Sequence, residues 1–455
     1  MNEHPQKHGR WRSLLRMASF RVIVAGTIVL VCALALLLFL DPLVNKYVKP
    51  RITEKFAATY PAYSLHVGDM GYSVLMNRFT IEAVDLRRVD GTLSSTLDRF
   101  SVSGITWVHL LWGGKLTLKD FAEAGIDAQD VKLSLPQSHY EFYCRTLRLS
   151  VPDSELIVNA FKLYPLDNDE KFFAQSELRR TRFQLIVPYA KANGMACFEM
   201  VQQKRYAMRS VQLHDPQLDV LVNKDKPYGG IPPLMPNELL FSVKESLKVS
   251  RLNIINGVLK YGERMRLGSL PGVITFDSIQ ALVEGIANHV NRDAALVVHA
   301  RAKFMKSGTM TVLMSIPVAM PQFSYQYSGS LSRMNLEALN AFLEEGEHMR
   351  IKRGILEEAS FGITVVSGRA SGTVRAVYRD LTFAVINKYT SSEKGIFDRL
   401  SSFIANNFKF RRNNVPGKSG AMKIGVVNYT RQRDNYFFEF TWLALRSGVG
   451  NVVGF

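Results

Sequence analysis

The chain has 455 residues, 47% of them hydrophobic, with 57 Lys and Arg against 40 Asp and Glu for a formal net charge of +17. That length and apolar content exclude a disordered protein and leave room for a large core or for two to three domains. The positive balance points to an anionic partner, either nucleic acid or an anionic lipid surface.

The first segment favours the lipid surface. Val22 to Leu40 (VIVAGTIVLVCALALLLFL) is an uncharged apolar run of 19 residues. As a helix it spans about 28 Å, close to the hydrocarbon thickness of a bilayer. Lys7, Arg10, Arg12, Arg16 and Arg21 precede it and Asp41 follows. This predicts a cytoplasmic basic segment over 1–21, a transmembrane helix over 22–40 and an extracytoplasmic remainder. A cleaved signal peptide has a shorter apolar core and a small-residue cleavage motif, and Asp41-Pro42-Leu43-Val44 supplies none. No second apolar run reaches spanning length, so a single pass is expected.

Leu43, Val44, Tyr47, Val48, Ile52, Phe56 and Ala57 recur at helical spacing, predicting a juxtamembrane helix over 41–63. A first β-hairpin region follows over 64–225. Residues 79–88, 97–108 and 114–135 alternate apolar and polar. Residues 145–158 and 209–222 each read as two strands, turning at Asp153-Ser154 and at Asp215-Pro216. The Pro- and Gly-rich stretch 226–240 reads as a linker.

A second β region occupies 241–455. SRLNIINGVLKYGER (250–264) reads as a hairpin turning at Asn256-Gly257, with Leu252 and Ile254 on one face with Leu259 and Tyr261. Residues 307–316 and 323–332 extend the strands. Asn335 caps a short helix bearing Leu336, Leu339, Phe342 and Leu343. The ribbon from Arg353 to Leu381 turns at Ser367-Gly368, so that Val365 faces Ala370, Ile363 faces Gly372 and Phe361 faces Val374. Its dry face carries Phe361, Ile363, Val365, Val374, Ala376 and Tyr378, and Arg375 points to the wet face. A helix over 392–410 gathers Ile396, Phe397, Leu400, Phe403, Ile404 and Phe408 on one stripe. A basic loop and two closing strands, MKIGVVNYTRQ and NYFFEFTWLAL, complete the series.

Candidate chemistry is sparse. The nine histidines are scattered, with no metal-ligand spacing, nucleophile elbow or phosphate loop. Cys32 falls in the apolar run, while Cys144 and Cys197 either pair or remain free thiols. No catalytic residue, metal or cofactor is expected. FKFRR (408–412) alternates aromatic and basic residues, but no nucleic-acid recognition motif accompanies it and the body lies outside the cytoplasm.

The strand–Asn-Gly–strand–Tyr unit SRLNIINGVLKY resembles the AsmA-like superfamily of Gram-negative envelope proteins. So do FSYQYSGSLSRMNLEALNAFL, the stretch from Ile351 to Ile386, and NYFFEFTWLALRSGV. The likeness is strongest over 245–455 and points to the branch grouped as domains of unknown function. It implies a long curved antiparallel sheet of sequential hairpins with a lipid-lined groove. It also implies an inner-membrane anchor, a periplasmic body, and a part in lipid transfer or outer-membrane lipid homeostasis. On that expectation Leu252, Ile254, Leu259, Tyr261, Phe361, Ile363, Val365, Val374, Ala376 and Tyr378 contact phospholipid acyl chains. Arg411, Arg412 and Lys418 contact headgroups. The alternative is an envelope assembly protein whose sheet folds on a dry core and holds a protein partner by edge pairing. Only 335–346 and 392–410 are read as helices able to cover the apolar face.

Overall fold

The computed structural model describes residues 41–106, 117–230, 232–266, 268–289, 294–319, 323–386, 410–417 and 420–454. The expected basic segment 1–21, the transmembrane helix 22–40, the 392–410 helix apart from Phe410, and Lys418 lie outside these residues. Among the described residues no helix is long and apolar enough to cross a membrane. The described chain is mainly β, with 18 strands, few helices and mostly antiparallel hairpin pairing. It divides into two compact units between Gln129 and Asp130.

The first unit opens with the expected helix. Within the described residues it runs from Asp41 through a π-helical turn over Val44–Val48 and continues as α1 (Lys49–Thr59), ending at Thr59 rather than at residue 63. Pro50 lies just past the π-helical turn, where its ring removes one donor from the helical ladder. Strands β1 (Tyr63–Val67) and β2 (Met70–Ser73) then share one edge of β3 (Arg78–Arg88), and β4 (Ser94–Ser103) takes the other. The stretch 114–135 is not continuous strand. A 3-10 turn over Leu118–Phe121, capped reciprocally by Thr117 and Asp120, precedes β5 (Gly125–Leu135).

In the second unit β6 (Tyr140–Ser150) and β7 (Glu155–Pro165) form the hairpin expected at Asp153-Ser154. Helix α2 (Asp169–Ala174) leads to β8 (Thr181–Asn193), and α3 (Cys197–Gln203) to β9 (Arg205–His214). Cys144 and Cys197 are free thiols. The chain does not reverse at Asp215-Pro216. Strand β10 (Gln217–Asn223) continues alongside β8 where β9 left off. Proline removes one ladder donor and Asp215 takes a positive φ of 51°, so the site is an interruption in one path.

The 226–240 stretch carries α4 (Pro236–Ser242) and leads to β11 (Ser246–Arg264), which pairs in parallel with both β9 and β10. Parallel neighbours need a crossover of a dozen or more residues, and this segment supplies it. The sheet is therefore mixed, and the expectation of purely sequential antiparallel hairpins is corrected at this joint. From β11 the order is sequential and antiparallel through β12 (Gly272–Ala287), β13 (Ala295–Phe304), β14 (Gly308–Pro317), β15 (Tyr325–Asn335), β16 (Met349–Val366), β17 (Arg369–Val385) and β18 (Ile424–Thr430).

Two further expectations are corrected. Asn256-Gly257 is not a hairpin turn. Asn256 has φ 56° within β11, and the pairing to β12 shifts register between Ile254 and Gly257. The left-handed tendency that suits Asn-Gly to a tight turn here serves a bulge. NYFFEFTWLAL is not a strand. From Phe437 on it lies in α6 (Phe437–Val453), which packs on β17 and β18. The closing GVGNVVG also falls mostly inside this helix. The short helix capped by Asn335 forms as expected: the Asn335 side chain accepts from Glu337 N at 2.9 Å, and a 3-10 turn leads into α5 (Asn340–Glu347).

Candidate functional site

Residues directly opposite one another across a sheet share a face, so the registers can be followed strand to strand. One rung runs Leu252–Val283–Val298–Met314–Tyr327–Ile363–Gly372–Val427. The next runs Ile254–Ala281–Ala300–Val312–Gly329–Phe361–Val374–Gly425. The two ribbons singled out in the sequence thus belong to one apolar face, with Leu252 and Ile363 on one rung and Ile254 and Phe361 on the other. The pairings Phe361–Val374, Ile363–Gly372 and Val365–Ala370 are those expected from the Ser367-Gly368 turn.

Among the described residues, pieces of chain at Met235, Phe342 and α6 cover this face. Met235, wholly buried, closes the end near Ile316, Phe323 and Tyr325. Phe342 of α5 closes the opposite end, where Ile351, Tyr378 and Leu381 gather. Between them lies α6, whose Phe440, Ala444 and Val452 are completely buried. Ile363 (2% exposed), Val365 (1%) and Val374 (2%) are core residues. Ala376 and Tyr378 are buried with them. Sequence reading identified the dry face, but not the helix that lies on it.

The cover is incomplete. A cavity of about 310 Å³ remains, with Phe437, Phe438, Thr441, Trp442 and Leu445 of α6 as its roof. Its floor comes from β11 to β16, with Leu259 and Tyr261, Ile274 and Phe276, and Phe304 and Phe361 among the lining. Ala300 and Ala302 lie in the middle of that floor, and their small side chains leave the gap that larger residues around them enclose. Of the ten expected acyl-chain contacts, Leu259, Tyr261 and Phe361 line the cavity and the other seven do not. Leu252 and Ile254 share its face and are half-buried.

The roof is held by specific bonds. The Tyr327 hydroxyl donates to the Thr441 carbonyl at 3.0 Å, and Tyr325 Oη lies 2.8 Å from Thr441 Oγ1. Burial pushes both hydroxyls well above the ordinary tyrosine value, so they stay neutral donors. At the start of α6, Glu439 Oε1 lies 2.9 Å from Lys224 Nζ, which also reaches Glu263 Oε2 at 2.8 Å. Burial alone would lower the Lys224 pKa. The two carboxylates outweigh it and hold the ammonium above its ordinary value. Glu263 also accepts from the cavity-lining Tyr261 hydroxyl at 2.8 Å, so the ionic latch touches the cavity wall. Arg179 and Asp434, 2.9 Å apart, add a second tie just before the helix.

Trp442 gives the cavity a polar handle. Its indole Nε1 is buried and makes no hydrogen bond to any of the described residues. A buried donor of this kind favours an incoming oxygen acceptor. Arg411 and Arg412 are exposed, and their backbones are fixed by Arg411 N to Val453 O and by Leu381 N to Arg412 O. Among the described residues no group of three or more His, Cys, Asp or Glu is placed to hold a metal ion. The arrangement suits binding of an apolar chain.

Sequence reading missed the roof because aromatic and β-branched residues also favour strands. The signal was present in another period. Phe437, Thr441 and Leu445 recur at every fourth residue beside Phe438 and Trp442, and Phe440, Ala444, Gly448 and Val452 do the same on the buried side. No protein-family model matches the chain, and no curated protein matches it in sequence.

Proposed function

We propose that the chain is a membrane-anchored, extracytoplasmic lipid-binding protein of the AsmA-like superfamily, without enzymatic chemistry, contributing to lipid transfer or outer-membrane lipid homeostasis. The observation that carries this reading is the apolar cavity between α6 and the sheet. Its volume lies at the small end of ligand pockets, about 300–1,000 Å³. Each methylene withdrawn from water into such a site gains about 0.8 kcal/mol. Binding therefore depends on chain length more than on headgroup, and the Trp442 N–H suits an ester or hydroxyl oxygen near the chain. The exposed Arg411 and Arg412 suit anionic headgroups.

Edge pairing with a protein partner draws no support at β18. Its outward Val426 N–H donates to Asn451 Oδ1 at 3.1 Å and its Asn428 N–H to Ser447 Oγ at 3.3 Å, both from α6. A strand edge occupied this way is a poor template for another strand.

The test compares lipid carried by the full chain after mild detergent extraction. Native mass spectrometry should find phospholipid on the wild type and much less on Ala302→Phe, which fills the cavity. The control Arg375→Phe, on the opposite face, should keep it. A lipid-free wild type, or an Ala302→Phe chain that retains the same lipid, rejects the reading.

A further inference from the structure

The β2–β3 turn of the first unit exposes three consecutive apolar side chains. Val74 is 46% exposed, Leu75 88% and Met76 66%. The turn itself is ordered: Asn77 N donates to Val74 O at 3.2 Å, and the Tyr72 hydroxyl donates to Asn77 Oδ1 at 2.9 Å. An ordered turn that presents its apolar side chains outward calls for an apolar partner.

The hydrogen bonds of β2 show where that turn lies. The Asn45 side chain donates to Met70 O at 2.7 Å and accepts from Met70 N at 2.9 Å. One helical turn earlier, the Asp41 carboxylate accepts from Tyr72 N at 2.9 Å. Four residues back along a helix is about 6 Å, and two residues forward along a strand is about 6.6 Å. Moving from Asn45 to Asp41 is therefore the same displacement as moving from Met70 to Tyr72. Two to four more residues in that direction reach Val74, Leu75 and Met76. The tip lies about one further helical turn beyond Asp41, past the N-terminal end of the described helix. In sequence, the residue before Asp41 is Leu40, the last of the apolar run.

The surrounding surface agrees. Among the described residues of the first unit, the exposed large apolar side chains are Leu43, Tyr47, Val48, Tyr60, Val89 and the three of the turn. Leu43, Tyr47 and Val48 lie on the segment that carries Asp41 and Asn45. Lys46 and Arg78, both exposed, flank the cluster, as basic and aromatic residues do at a bilayer interface.

We propose that the Val74–Met76 turn inserts into the leaflet beside the chain's own anchor, forming a second membrane contact that fixes how the first unit stands on the bilayer. The partner is the lipid surface. The inference rests on the membrane-anchored reading of 22–40, and its test separates the two.

The full chain is reconstituted in phosphatidylcholine–phosphatidylglycerol vesicles whose acyl chains carry bromine, a fluorescence quencher. An environment-sensitive fluorescent amino acid replaces Leu75 in one sample and Val89, at the far end of β3, in another. The probe at 75 should be quenched several-fold more than the probe at 89, and adding Val74→Asp and Met76→Asp should abolish the difference. Equal quenching at the two positions, or none at 75, overturns the inserted turn. Resistance of the same vesicles to alkaline carbonate reports the anchor independently. A chain that resists extraction with an unquenched probe at 75 keeps its anchor and loses the turn. A chain that is extracted loses the anchor reading, and the inserted turn with it.

Discussion

Gly448 of α6 lies directly against Gly425 of β18: a Cβ built on Gly425 would overlap the Gly448 carbonyl oxygen. A Cβ on Gly448 would in turn stand 2.5 Å from Val374 Cγ2 and 2.7 Å from Val427 Cγ2. The helix rests on the sheet through this pair of missing side chains, and its depth there sets the height of the cavity roof further along.

Gly448→Ala is expected to lower stability by about 1–3 kcal/mol, the usual penalty for overfilling a packed core. Gly425→Ala should cost more, because the group it meets is backbone and cannot rotate away. Urea denaturation of both variants checks the order. An unchanged midpoint for Gly425→Ala is incompatible with α6 seated as described.

The Lys224 latch predicts an asymmetry. Lys224→Met leaves the nearly inaccessible Glu263 and Glu439 carboxylates facing each other without a cation. Stranding buried charge in this way costs about 3–5 kcal/mol. Glu439→Gln keeps the Lys224–Glu263 pair and should cost much less. Thermal denaturation at neutral pH distinguishes them, and equal losses would mean the latch is not a buried triad.

Tyr378 predicts an alkaline limit. Its hydroxyl donates to Arg411 O at 3.0 Å, and burial pushes its pKa up to about 12. An unfolded tyrosine ionises near 10. Between these values the unfolded chain has released a proton that the folded chain still holds, so stability falls as pH rises. Melting temperature should be nearly level up to about pH 9 and drop between about 10 and 12. Tyr378→Phe, less stable at neutral pH through its lost hydrogen bond, should close the gap to the wild type across that window. A constant gap would remove Tyr378 from the cause.

Asn451→Ala frees the Val426 N–H at the β18 edge. The expected loss is about 1 kcal/mol, accompanied by self-association that grows with protein concentration. Sedimentation velocity on a dilution series reads the second effect. A strictly monomeric variant would show that the edge is protected by something other than this cap.

The apolar face was legible in the sequence because strand side chains alternate with period two, whatever joins the strands. At Ser367-Gly368 both the turn and the register were read correctly. At Asn256-Gly257 the turn was wrong and the face right: a hairpin and a one-residue bulge both bring Leu252 and Ile254 onto the side of Leu259 and Tyr261. The parallel joint was not legible, since nothing local distinguishes a linker from a crossover. The α6 roof was hidden by composition, because Phe, Trp and Val favour strands and only the fourfold spacing spoke for a helix. The cavity needed both of these and the central Ala300 and Ala302, whose meaning depends on what lies opposite.

The position of α6 along the chain governs how the protein can be made. It follows every strand it covers, from β11 to β18. During synthesis from the N-terminus, the face bearing Leu259, Phe276, Phe304 and Phe361 emerges well before its roof. A nascent chain that has delivered β18 but not α6 therefore carries a broad sticky surface, at the stage when aggregation competes best with folding. Cells must shield that surface for as long as synthesis of the last helix takes. A stop codon placed after Thr430 should yield a chain consigned to proteolysis, even though every strand is present.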